Sequence, residues 1–99
     1  MKKRKTIMKI AINTCYGGFG LSKEAYEFLG ITWDKFGYAY NPYEKRTDLK
    51  LIECIETLGK KANGSCASLK VIDIPDDVNW TISEYDGRET IEEVHRVWY

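Results

Sequence analysis

The sequence predicts a single α+β domain, and three observations carry that reading. An isoleucine-rich run at residues 7–14 breaks into a glycine cluster. Two amphipathic stretches each follow a capping residue and stop at a glycine. Two β-type runs near the C-terminus flank Asp86-Gly87, a strong two-residue hairpin signal. The expected order is β-α-α-β-β-β, in one two-layer α/β sandwich with a mixed β-sheet. Both helices cross one face, the strand at 68–74 lies parallel to the first, and the C-terminal β-hairpin extends the sheet.

Each element has a local cause. Residues 7–14 read as a buried strand. Ser22 is a good N-cap, Glu24 suits the first helical turn, and Leu21, Ala25, Phe28 and Leu29 make the apolar side up to Gly30. Residues 31–47 lack periodicity and carry Trp33, Phe36, Tyr38, Tyr40 and Tyr43, the pattern of a long functional loop. Asp48 caps a second helix whose Leu51, Ile52, Ile55 and Leu58 recur at helical spacing until Gly59. A polar turn at 60–64 leads to the strand at 68–74, ended by Pro75. From 78 to 85 the pattern alternates, with Val78, Trp80 and Ile82 on one side. Residues 88–94 return as its partner. A helix over 90–96 competes, because Ile91, Val94 and Trp98 also fit a helical stripe.

The 99 residues suffice for one domain, here residues 8–99, preceded by a flexible basic tail at 1–7. Formal net charge is zero, but residues 1–50 hold ten Lys/Arg against five Asp/Glu, and residues 51–99 the reverse. That balance disfavours a dedicated nucleic-acid binder, which would be basic. Cys15, Cys54 and Cys66 are odd in number and lack CxxC spacing, so neither a disulfide framework nor a zinc site is indicated. No apolar run is long enough to span a membrane. A reducing cytoplasm, that of a bacterial host cell, is the expected compartment, and no metal or cofactor is implied.

The join between the first strand and first helix concentrates candidate chemistry. Gly17, Gly18 and Gly20 permit close backbone approach, and a helix N-terminus behind them suits phosphate or carboxylate. The run 17–20 is neither a Walker A loop nor GxGxxG, so a tight turn with purely steric glycines is the alternative. Cys15 at the strand end is a candidate nucleophile with His95, or a small packed thiol. The carboxylates Asp76, Asp77, Glu84, Asp86, Glu89, Glu92 and Glu93 could hold a metal or act as acid and base, but no EF-hand or similar spacing appears, and a solvated edge that deters strand pairing is the expected role. The terminal His95-Arg96-Val97-Trp98-Tyr99 reads as a tail packing back on the domain, with Arg96 available to an anion. The candidate binding set is therefore Cys15, Tyr16, Gly17, Gly18, Phe19, Gly20, Ser22, Trp33, Tyr38, Tyr40 and Arg96, with no catalytic or metal residues assigned.

The segments at 9–22 (KIAINTCYGGFGLS), 58–64 (LGKKANG), 72–78 (IDIPDDV), 84–87 (EYDG) and 95–98 (HRVW) together resemble a family of small bacteriophage and prophage proteins. The resemblance covers most of residues 8–99 and carries no activity to individual residues. It implies a phage accessory protein that acts stoichiometrically, blocking a host defence protein in a role like that of anti-CRISPR proteins. Tyr16, Phe19, Trp33, Tyr38 and Tyr40 are then the expected aromatic anchors. The alternative is sequestration of a phosphate-containing, nucleotide-type molecule at residues 17–20. A Cys15/His95 enzyme is a third reading, and homodimerisation through an open sheet edge a fourth.

Overall fold

The computed structural model describes residues 7–94. The expected basic tail therefore lies outside the described residues except for Ile7, which opens the first strand. His95, Arg96 and the remaining C-terminal residues also lie outside them. The elements are β1 (Ile7–Asn13), α1 (Lys23–Leu29), α2 (Leu49–Leu58), β2 (Leu69–Pro75), β3 (Trp80–Tyr85) and β4 (Arg88–Glu93). Short 3₁₀ turns occupy Tyr43–Lys45 and Gly59–Ala62. The α+β class and the β-α-α-β-β-β order are those the sequence predicts.

The helices begin and end for the expected reasons. The Ser22 side chain accepts the Ala25 N–H, and Gly30 closes α1 in the left-handed region at φ 71°. The Asp48 side chain accepts the Lys50 N–H at the start of α2. Residues 88–93 form a strand rather than the competing helix, because the Asp86-Gly87 turn directs them back along β3. Asp86 (φ 50°) and Gly87 (φ 88°) both have positive φ, as the tight hairpin turn requires.

The sheet differs from expectation in two ways. β1 and β2 are antiparallel, with Asn13 opposite Leu69 and Ile7 opposite Pro75. The chain thus re-enters the sheet at the end where it left, as two helical passes allow and one would not. The hairpin does not extend this sheet. β3 and β4 form a separate two-stranded sheet, so among the described residues all pairings are antiparallel and the expected mixed sheet is not formed.

The reason lies in the apolar residues of β1 and β2, which occupy both faces. Ala11, Leu69 and Val71 belong to the cluster containing Leu51, Ile52 and Ile55 of α2 and Ala25, Tyr26 and Leu29 of α1. Met8, Ile10, Ile12, Ile72 and Ile74 face the other way and pack with Trp80, Ile82 and Ile91 of the hairpin. A hairpin laid beside the sheet would leave that second face in water. Removing a large aliphatic side chain from water is worth about 1.5–3 kcal/mol, so covering this face outweighs lengthening the ladder.

Burying β1 also buries the backbone edge that β2 does not pair. Those groups are satisfied by an ion pair rather than a third strand. The Ala11 N–H donates to the Arg46 carbonyl at 2.9 Å, and the Asn13 N–H to Glu89 Oε1 at 2.9 Å. Arg46 Nη1 reaches the Ala11 carbonyl at 3.4 Å and Glu89 Oε1 at 2.5 Å. Nη2 donates to Glu89 Oε2 at 2.8 Å and to the Asn41 carbonyl at 2.7 Å. Nε donates to the Tyr40 carbonyl at 2.9 Å. Every guanidinium donor is thereby used, and the group sits 3.9 Å from the Phe19 ring centroid. The reading of Glu89 as part of a solvated edge is corrected: it is buried, because it answers this charge and this strand edge.

The irregular loop has its own clamp. Asp34 Oδ1 accepts the Phe36 and Gly37 N–H groups at 2.8 and 2.7 Å. Tyr26 donates its hydroxyl hydrogen to Asp34 Oδ2 and accepts the Ala39 N–H, each at 2.9 Å.

Two outcomes follow from these networks. Glu89→Gln and Arg46→Lys should each lower unfolding free energy by about 3 kcal/mol or more in urea titrations, since each leaves a buried charge poorly answered. The backbone N–H groups of Gly37 and Phe36 hold the Asp34 carboxyl below the usual carboxylate range. Its contribution is thus present above the unfolded-chain pKa and lost as pH falls through the lower folded value. The Gly37 amide resonance should shift at that lower pH, and Asp34→Asn should abolish the shift.

Candidate functional site

Residues 17–19, 41–43 and the hairpin turn enclose a cleft of about 650 Å³. Its position follows from a close backbone contact. The Gly17 N–H donates to the Asp86 carbonyl at 2.8 Å. A Cβ on Gly87 would collide with the Gly18 nitrogen and lie 2.7 Å from Gly17 backbone atoms. Gly17 in turn packs on Cys66, where an added Cβ would lie 2.9 Å from that residue's own. Asn13, fully buried, secures the junction. Its Nδ2 donates to the Gly87 carbonyl at 2.7 Å and the Cys15 carbonyl at 2.5 Å. Its Oδ1 accepts the Ser68 N–H at 2.8 Å.

The cleft is acidic. Glu84, Asp86 and Glu89 line it, together with Tyr43, Asn41 and Phe19. Glu89 is neutralised by Arg46. Glu84 accepts the Gly87 N–H at 2.5 Å through one oxygen, which leaves the charge in place. Asp86 is exposed. The Tyr43 phenol is pushed above its ordinary range, first by burial and then by the negative charges of Glu89 and Glu84, with Arg46 opposing. A concave site with one aromatic wall and two carboxylates suits a cation: an ammonium or guanidinium group can stack on the ring and pair with the acids. It suits phosphate poorly. The Gly17 N–H is already occupied, and no residue of α1 lines the cleft, so the helix N-terminus expected behind the glycines is not part of it.

The sequence-derived candidates divide accordingly. Gly17, Gly18 and Phe19 reach the cleft. Phe19 is corrected as an exposed anchor: it is 1% exposed, held in the core beneath the Arg46 guanidinium. Trp33 is half-buried, meeting Tyr26 edge-on at 4.9 Å between ring centroids. Tyr40 also packs against the core. Ser22 caps α1, and Gly20 packs beside Gly64. Tyr38 and Tyr16 are exposed. Tyr16 shares a shallow depression with Tyr85 and Arg88 on the far side of the hairpin. Cys15 and Cys66 are exposed thiols, whereas burial raises the Cys54 thiol to about 11. Arg96 and His95 lie outside the described residues, and with them the proposed Cys15/His95 pair. Among the described residues no cluster of His, Cys, Asp and Glu could hold a metal ion, and no helix is long and apolar enough to cross a membrane.

Tyr43, Asn41, Glu84 and Asp86 escaped the sequence-derived set. The available signal was the cluster of carboxylates around the hairpin turn, which reads as a solvated edge until the turn is seen to pack on Gly17 and Gly18.

Comparison with protein-family models, curated proteins and solved structures finds no match to this chain.

Gly87→Ala should destabilise the fold by at least about 2 kcal/mol, from the positive φ and the clash together. Thermal denaturation of that variant beside Gly18→Ala, whose added Cβ meets nothing within 4 Å, separates the clash from the cost of positive φ.

Proposed function

We propose that the chain is a stoichiometric binding protein whose acidic cleft receives a basic side chain of a partner protein. The single observation that carries this reading is the convergence of Tyr43, Glu84 and Asp86 on one concave site. The site stands on backbone that Asn13 and the Arg46–Glu89 pair hold fixed. Preorganised acids and a ring lose little entropy on binding, which is where small binding domains gain affinity. The resemblance to small phage and prophage proteins supports a partner class, a host defence protein. Basic residues that such a protein uses to hold nucleic acid are the natural occupants of the cleft.

Nucleotide sequestration has less support. Its phosphates would meet the Glu84 and Asp86 carboxylates, and like charges at this range repel.

A plaque assay tests the proposal. Expression of the chain in bacteria carrying individual defence systems should restore infection against at least one. Asp86→Lys and Tyr43→Ala should each abolish restoration while the melting temperature stays within a few degrees of the parent. Unchanged activity in both variants would remove the cleft from the mechanism, and failure against every system would remove the partner class.

A further inference from the structure

Among the described residues β2 is paired on one side only. The Thr14 N–H donates to the Ser68 carbonyl at 2.8 Å, which fixes the phase of the ladder. Antiparallel pairs alternate between bonded and non-bonded residues. Ile12/Lys70 and Ile10/Ile72 are therefore bonded pairs, and Leu69, Val71 and Asp73 turn their N–H and C=O groups away from β1. The same phase directs Ala11 and Asn13 outward on β1, where Arg46 and Glu89 receive them.

The ends of this outer edge are closed. The Leu69 N–H donates to Asn63 Oδ1 at 2.9 Å. Pro75 has no N–H, and its carbonyl accepts from Val78 at 3.3 Å. Between them, Val71 and Asp73 each present a donor and an acceptor with no partner among the described residues.

A groove of about 490 Å³ runs beside this edge, between the end of α2 and β2. Ile55, Leu69 and Val71 line it with apolar surface and Lys60 adds positive charge; Lys70, which also borders it, projects its side chain from the opposite face of β2. Glu56, also in the lining, is paired with Lys9 at 2.7 Å and does not neutralise them.

We infer that the outer edge of β2 docks an extended segment of a partner protein by strand addition, the segment alternating apolar and acidic residues. The backbone groups of Val71 and Asp73 supply the ladder. Apolar side chains enter the groove on the face toward α2. Acidic side chains on the opposite face lie beside Lys70, and an acidic flank meets Lys60. A charged edge deters indiscriminate pairing, so a partner strand must answer Lys70. A second copy of β2 does not: Asp73 projects from the face opposite Lys70, so two-fold antiparallel pairing brings no β2 carboxylate to it. The surface is separate from the acidic cleft and does not depend on the reading given to it.

Two capped hexapeptides test the proposal, one alternating Glu and Val, the other Lys and Val, titrated into ¹⁵N-labelled protein. The Glu peptide should shift the Val71 and Asp73 amides and slow their hydrogen exchange. It should bind about tenfold more tightly than the Lys peptide, and the exposed substitution Lys70→Glu should reverse that preference. Equal affinity for the two peptides, or unchanged exchange at Val71 and Asp73, would overturn the inference. So would a concentration-dependent dimer that protects those same amides without peptide.

Discussion

The arrangement depends on one buried ion pair standing where a strand would otherwise stand. β1 is covered on both faces, and β2 pairs only one of its edges. A buried, unpaired backbone edge is costly, because each unmet N–H or C=O forfeits its hydration. Arg46 and Glu89 meet that demand from two remote parts of the chain. The Arg46 carbonyl and guanidinium serve Ala11, and the Glu89 carboxylate serves Asn13. The pair need not be a large net source of stability, since desolvating two charges offsets much of their attraction. Its consequence is positional. It ties the irregular loop, through the Tyr40 and Asn41 carbonyls, and the hairpin, through β4, to one strand.

That tie creates the cleft. With Glu89 anchored beneath Arg46, the hairpin turn is drawn onto Gly17 and Gly18, where only glycine at 87 allows the approach. Tyr43 is held three residues from Arg46 on the opposite wall. Loops and a hairpin turn line the cleft, while buried contacts hold them in place. Neutralising Glu89 internally leaves Glu84 and Asp86 to set the sign of the cleft. The sign separates a cationic occupant from the phosphate ligand that the glycine run by itself suggests.

Charge is also divided between the two concave surfaces. The cleft presents carboxylates, while Lys60 in the groove and Lys70 on the other face of the β2 edge carry positive charge. The basic first half and acidic second half of the sequence therefore do not simply map onto two faces. Lys60 and Lys70 come from the acidic half, and Tyr43 of the acidic cleft from the basic one.

The features legible before folding are those that neighbouring residues decide. Ser22 and Gly30 bound α1, Asp48 and Gly59 bound α2, and Asp86-Gly87 turns β3 into β4, because caps and tight turns act over a few residues. Strand existence was legible from the isoleucine runs, which are apolar whatever their partners. Strand direction was not, since the connection from β1 to β2 is long enough to return the chain at either end. Nor was the fate of Phe19, Arg46 and Glu89. A phenylalanine beside glycines and an arginine in a polar loop look exposed, and a glutamate in an acidic hairpin looks solvated. Only the tertiary structure buried them together, because the ring, the guanidinium and the carboxylate satisfy one another and a strand edge that none of their sequence neighbours contains.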